Sequence, residues 1–450
     1  MLSTTSRVLG KVPKLSTISS RWVSTKLNVV SYDNESISIK FKNGKVTKFN
    51  NVFIRDSCRH PESVEPFSKQ KLFTTVEIAK NLKIDNVPYT KVKENSEVLV
   101  VEWDQNGKSH TSEISEQFLT PYTQIGGHRK EKFFDKDVLL WDRELLLNNL
   151  DNIWTDYSSY IKEDNEQFYH SVSNLNKFGL TFIKNIPQVA NRSEKMTEEN
   201  HLSWPISNLA SKFGYIKKTF YGSLFEVKNE KENAKNIANT DTFLPLHMDL
   251  LYYESPPGLQ LLHFIKNSTL GGENVFCDSF LAAEHVRNID PDAYYALTKV
   301  PVTYWYDNNN EYYFYKRPVI IEDEDLKFPN SKRPHILAVN YAPPFQGPFE
   351  YGVSISEGSD IEQADDLAKS KLFKDFLRGF TIFEEFINDP LNHFEIKMPE
   401  NTCVIFQNRR VLHSRKSFSA ANGGDRWLMG CYIDGDSFRS KLRTLSRKFK

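Results

Sequence analysis

The run PLHMDLLYY, Pro245 to Tyr253, sets a histidine and a carboxylate two residues apart among leucines and a pair of tyrosines. In a strand or at its end, side chains at i and i+2 project to one side, so His247 and Asp249 are placed to ligate one metal. A second run, VIFQNRRVLHSR (Val404 to Arg415), delivers His413 near the end of an apolar, strand-like stretch about 160 residues later. Two imidazoles and one carboxylate suit iron(II), and three ligands on one face leave positions open for a bidentate cosubstrate and dioxygen.

A His-X-Asp triplet is weak evidence alone, because a chain with 11 histidines can produce one by chance. Arg426 adds weight: it lies thirteen residues beyond His413 in the run DRWLMGCYI. A guanidinium there can clamp the distal carboxylate of 2-oxoglutarate in a bidentate pair. The bland alternative is a surface salt bridge, but Trp427, Leu428 and Met429 beside it point to a buried strand.

Around these runs the pattern is of helices decorating a β core. GLTFIKNI (179–186) and GLQLLHFI (258–265) read as strands, VLLWDRELLLNNL (138–150) as helical, and 361–388 as a packing helix ending before Pro390. Upstream, SISIKF and KVTKFNNVFI flank a turn at Asn43-Gly44, and EVLVVEW and SHTSEI flank Asn106-Gly107. Asn-Gly between alternating runs is a hairpin signal. Residues 28–125 therefore read as a small β-rich N-terminal domain and 126–450 as the catalytic domain, with the polar stretch near Gly126 to Lys132 as linker. Residues 1–27 are rich in Arg, Lys, Ser, Thr and Leu and lack any acid, the composition of a mitochondrial transit peptide and of a matrix destination.

With 39% hydrophobic residues the chain can bury a full core. Lys plus Arg (58) balances Asp plus Glu (58), so no global field draws it to nucleic acid or an anionic membrane, and a small-molecule substrate is expected. No stretch approaches the roughly 20 apolar residues of a membrane span. Four scattered cysteines make no disulfide framework.

The blocks RDSC (55–58), LHMDLLYYESPPGLQLLH (246–263), GGEN (271–274), NRRVLH (408–413) and GCYID (430–434) occur in an order that resembles the γ-butyrobetaine and trimethyllysine dioxygenase family, in its fungal branch, related to the taurine dioxygenases. The resemblance implies a mainly β catalytic domain with flanking helices, built as a double-stranded β-helix of jelly-roll type. It also implies cofactors Fe(II), 2-oxoglutarate and dioxygen, with ascorbate as reductant, and a homodimer. The expected activity is hydroxylation of a trimethylammonium acid, γ-butyrobetaine to carnitine first. Trimethyllysine, another small acid, or a binding protein that lost its chemistry are the alternatives.

The same resemblance puts Tyr221, Phe225 and Tyr432 at the positions of an aromatic cage for the cation, and Asn236 at the substrate carboxylate. Phe225 replaces a tryptophan and Asn239 a tyrosine, while Leu250 and Ala342 stand where the butyrobetaine enzymes offer tyrosine and asparagine. Gln407 replaces an aspartate. In the N-terminal domain, Cys58, His60 and His110 correspond to part of a zinc site, with Ser63 at the place of a further cysteine.

Overall fold

The structure, a computed structural model, describes residues 26–124, 126–128, 131, 137–162, 166–189, 195–228, 241–323, 333–351, 363–419 and 423–449, with only the backbone for 363–368. The chain divides into two compact units between His128 and Arg129. The expected presequence lies outside the described residues up to position 25, and Leu27 belongs to the core of the first unit.

In the first unit, strands Asn28–Tyr32, Ser36–Lys40 and Val46–Asn50 form one antiparallel sheet, and Ser96–Gln105 pairs with Leu82–Ile84, Tyr89–Lys93 and Lys108–Ser115 in another. Both Asn-Gly turns sit where the sequence places them. At the second, Gln105 faces Lys108 across a two-residue loop in which Asn106 and Gly107 take φ +55 and +77, as the tight hairpin turn requires. Alternate residues such as Ile37, Ile39, Leu99, Val101 and Trp103 point inward and make the core.

The second unit holds two larger sheets. Six strands run in the order Phe225–Lys228, Arg426–Ile433, Leu259–Asn267, Thr402–Gln407, Leu180–Lys184, Trp154–Asp156, antiparallel except for the last pair. Four run in the order Leu244–His247, Val411–Arg415, Asn274–Asp278, Phe394–Ile396, all antiparallel. Period-two alternation explains the unbroken apolar runs. Leu259, Leu261, Cys403, Ile405, Met429 and Cys431 pack on one side with residues from helices Glu166–Phe178 and Pro205–Ser211. Leu262, Phe264, Val404, Phe406 and Leu428 pack on the other with Phe276, Phe394 and Val411 of the smaller sheet. The two sheets therefore share a core, and the flanking helices cover the larger one from outside.

The helix expected to end before Pro390 runs Gln363–Asn388 and buries Phe376, Phe383 and Ile387. The stretch 138–150 forms only one short helix, Arg143–Leu147. Its N-terminus is fixed by the Asp142 side chain, which accepts from Leu145 N–H at 2.9 Å, and Trp141 is drawn into the core, its indole donating to the Phe178 carbonyl at 2.6 Å. No helix among the described residues is long and apolar enough to cross a membrane.

Candidate metal centre

Strand Leu244–His247 ends beside strand Val411–Arg415 with His247 directly opposite His413. This pairing brings the imidazole centroids to 4.1 Å. Asp249 follows two residues on, its Oδ1 3.3 Å from His247 Nε2. One ligand atom from each of the three lies within 4.8 Å of the others, and no other trio of His, Cys, Asp or Glu among the described residues converges in this way.

The turn carrying Asp249 passes through Leu250, buried and at φ +57. A bulky residue in the left-handed region costs about 1–3 kcal/mol and persists only where neighbours hold it. Asn408 is the holder. Its Oδ1 accepts from the Asp249 N–H at 2.8 Å and its amide donates to the Asp249 carbonyl at 2.9 Å.

Each ligand side chain has its own environment. His247 Nδ1 donates to the Pro245 carbonyl at 2.8 Å, which leaves Nε2 with the free lone pair. Tyr432 donates its hydroxyl to Asp249 Oδ2 at 2.7 Å. His413 Nδ1 is buried with no hydrogen-bond partner among the described residues. Burial pulls Asp249 upward, but the neighbouring imidazoles of His247 and His413 and the Tyr432 hydroxyl hold it below the usual carboxylate range. Burial, reinforced by His247, pushes His413 down to about 3 against the pull of Asp249. The result is an ionised carboxylate beside an imidazole kept neutral, the protonation states that metal ligands need. This oxygen and nitrogen donor set fits iron(II).

Arg426 opens its strand opposite Asn267 and lines the same cavity as the triad. It is 8% exposed, its Nε is buried and unpartnered, and it makes no ion pair or hydrogen bond with a described residue. Burial, and then Arg415, push its pKa down to about 9. An enclosed unpaired cation is costly by several kcal/mol, so this wall of the cavity calls for an anion.

Tyr221, Phe225 and Tyr432 line the cavity too. Phe225 stacks on Tyr432 at 5.0 Å and 26°, and Tyr221 stands 6.1 Å from Phe225. Phe225 reaches this place across Gly430, where a Cβ would lie 2.2 Å from its ring, so the glycine of GCYID makes room for the aromatic wall. Leu250 and Ala342 are core residues outside the cavity lining. Asn236 and Asn239 lie outside the described residues.

Several lining residues carried no signal in the sequence. Arg415 flanks the Phe418 ring at 5.0 Å while Arg426 flanks it at 5.4 Å. Gln260 Oε1 and Asn274 Oδ1 are buried acceptors without partners on the cavity wall. Asn274 closes the GGEN block, the one available hint. Gln407 stands apart from the triad, its amide donating to the Leu175 carbonyl.

Of the residues implied for a zinc site, Cys58 and His110 meet while the His60 side chain is largely exposed. Cys58 Sγ and His110 Nε2 meet at 3.3 Å, but the His60 side chain is 51% exposed and turned to Glu62, so no three donors converge. Ser63, at the place where the resemblance implies a cysteine, spends its hydroxyl on His110 and on the buried Arg55.

Residues 154–432 match the family described as taurine catabolism dioxygenase TauD, TfdA family, and residues 29–115 match gamma-butyrobetaine hydroxylase-like, N-terminal. The chain is 32% identical to the probable oxidoreductase AIM17 of Saccharomyces cerevisiae, over 93% of this chain and 90% of that one. It is 33% identical to dioxygenase str8 of Strobilurus tenacellus, over 87% and 84%. With the gamma-butyrobetaine dioxygenase of a Pseudomonas species it shares 25% identity over 91% and 94%.

Proposed function

The chain belongs to the TauD, TfdA family of dioxygenases, and from that premise we propose that it hydroxylates a small trimethylammonium acid, most favourably γ-butyrobetaine. In this reading His247, Asp249 and His413 hold iron(II), and Arg426 takes the distal carboxylate of 2-oxoglutarate. The two facing sheets support a double-stranded β-helix with the metal between them. The observation that carries the reading is a single cavity holding a three-donor cluster, an unanswered buried cation and three aromatic rings.

When bound, iron(II) and 2-oxoglutarate supply the oxidation of an unactivated C–H bond by dioxygen, with succinate and carbon dioxide as co-products. The protein's own work is positional. The Pro245 carbonyl fixes the His247 tautomer, Tyr432 fixes the Asp249 carboxylate, and Asn408 fixes the backbone between them. Leu244, Val227, Leu262 and Leu428 give the cavity apolar walls that exclude water. Tyr221, Phe225 and Tyr432 present ring faces to a quaternary cation, which has no N–H to donate and is recognised by cation–π attraction.

A second reading, another small acid as substrate, rests on Leu250 and Ala342, which lie in the core outside the cavity lining at positions where the resemblance implies polar groups for an anionic end. We assign the protein to the mitochondrial matrix on its presequence composition, with imported and processed chain as the expected fractionation result. The function is tested by 2-oxoglutarate turnover of purified protein with iron(II) and ascorbate, comparing γ-butyrobetaine, trimethyllysine and no substrate, with products weighed by mass spectrometry. Carnitine formation, lost in His413→Ala, is the expected result. Turnover without hydroxylation of either compound refutes the substrate; no iron-dependent turnover at all refutes the enzyme.

A further inference from the structure

Arg426 makes no hydrogen bond with a described residue, so packing sets where its guanidinium points. On one side stands the Phe418 ring, 5.4 Å away. On another is Gly272, where a Cβ would lie 3.7 Å from Arg426 Nε and 3.2 Å from Phe418 Cβ. Gly271 and Gly272 take φ +79 and +73, a conformation that glycine adopts at little cost. The chain therefore turns with bare backbone against the arginine, and Asn274, two residues on, lines the same cavity.

The turn is lightly built. Leu270 is 73% exposed, and strand Leu270–Gly271 is two residues long and pairs with Phe418–Ser419, the segment whose ring flanks Arg426. The Gly272 N–H donates to the Ser417 carbonyl at 3.1 Å. Both contacts tie the turn to one neighbouring segment. Lys397, just past strand Phe394–Ile396, ties it to a different part of the unit: its half-buried ammonium donates to the Thr269 carbonyl at 2.9 Å and to the Gly271 carbonyl. Charge-assisted bonds on carbonyls to either side of Leu270 fix the path by which the chain reaches Gly272.

We propose that Lys397 is a positioning residue for the cosubstrate. It ties segment 269–271 so that the Gly272 turn backs Arg426 and aims its guanidinium at the distal carboxylate of 2-oxoglutarate. This inference rests on the assignment of Arg426 made above.

The test uses the full-length chain loaded with zinc(II), which holds the metal position without turnover, and measures 2-oxoglutarate binding by calorimetry. Lys397→Met should raise Kd about tenfold, the scale of a lost charged hydrogen bond, and Lys397→Arg should restore most of the affinity. In the iron(II) enzyme Lys397→Met should raise KM for 2-oxoglutarate by a similar factor and leave kcat at saturation and the iron requirement near wild type. If Lys397 acts through Arg426, adding Lys397→Met to Arg426→Met should weaken binding no further. The same loss in both backgrounds overturns the proposal, because it makes the ammonium an independent contributor of charge. Unchanged affinity in Lys397→Met overturns it too, as does a joint fall in affinity, kcat and iron binding, which marks a structural role. Lys397→Gln takes the place of Lys397→Met if the latter does not fold, with the same expected results. Unchanged binding in Arg426→Met overturns the assignment of Arg426, and this inference with it, whereas a loss in Arg426→Met without one in Lys397→Met overturns the role of Lys397 alone.

Discussion

Replacing Tyr432 with phenylalanine removes one atom and separates two jobs. The ring that stacks on Phe225 at 5.0 Å remains. The hydroxyl that donates to Asp249 Oδ2 at 2.7 Å is lost. The bond is buried and its acceptor is ionised, so its loss is worth about 1.5–3 kcal/mol. At about 1.4 kcal/mol per tenfold, iron affinity should fall by roughly 10- to 100-fold, because a carboxylate free to turn must be ordered each time the metal binds. The assay is an iron(II) titration of 2-oxoglutarate turnover in metal-stripped protein, with the substrate KM followed in the same series. The iron requirement should rise while KM for substrate stays close to wild type. An unchanged iron requirement would refute the claim that Tyr432 positions the ligand, and a large rise in substrate KM alone would leave it a cage residue only.

Arg426→Met removes an unpaired buried cation, so protein without cosubstrate should melt no lower than wild type, whereas the 2-oxoglutarate requirement should rise about 100-fold for the loss of a bidentate charged contact. A lower Tm with an intact response to 2-oxoglutarate would show that Arg426 serves the fold instead. In the first unit, burial pulls the Cys58 thiol upward, but hydrogen bonds from His110, Ser112 and the His60 N–H bring it from 9.0 down to about 6. Since the folded value lies below the unfolded one, this stabilisation is complete above the unfolded value and is lost as pH falls through about 6. Thiolate ultraviolet absorbance should titrate near pH 6 and vanish in Cys58→Ser, because burial pushes Cys277, Cys403 and Cys431 up; a midpoint near 9 would break the Cys58–His110 pair.

What was legible in the sequence was local. Asn-Gly fixes a hairpin because only residues tolerant of positive φ close a two-residue turn, and i, i+2 spacing put His247 and Asp249 together without knowledge of any partner strand. His413 and Arg426 were reachable because each ends or begins an apolar run. The contacts that orient these groups were not legible, since Asn408 meets Asp249 across 159 residues and Tyr432 meets it across 183. Tyr432 was read as a cage ring, and nothing in its neighbours reveals that its hydroxyl is committed elsewhere. The stretch 138–150 misled for a related reason: leucines at helical spacing also suit an irregular segment whose Trp141 is claimed by the core.

The segment Gln407 to Arg410 holds Gln407, one departure from the pattern that the resemblance implies, at a corner close to the candidate ligands. It is the corner where the chain leaves the larger sheet at Gln407 and enters the smaller one at Val411, just before His413. Four consecutive side chains leave it in four directions. Gln407 donates to Leu175, Asn408 clamps Asp249, Arg409 donates to Asn340, and Arg410 pairs with Asp278 and donates to the Leu139 carbonyl. Each contact pins the corner to a different part of the unit, so His413 is held in register with His247 by several independent ties. An amide at 407, where the resemblance implies a carboxylate, still finds the Leu175 carbonyl to bind. That substitution therefore alters one tie among four and leaves the donor geometry intact, which weighs against a scaffold that has lost its chemistry.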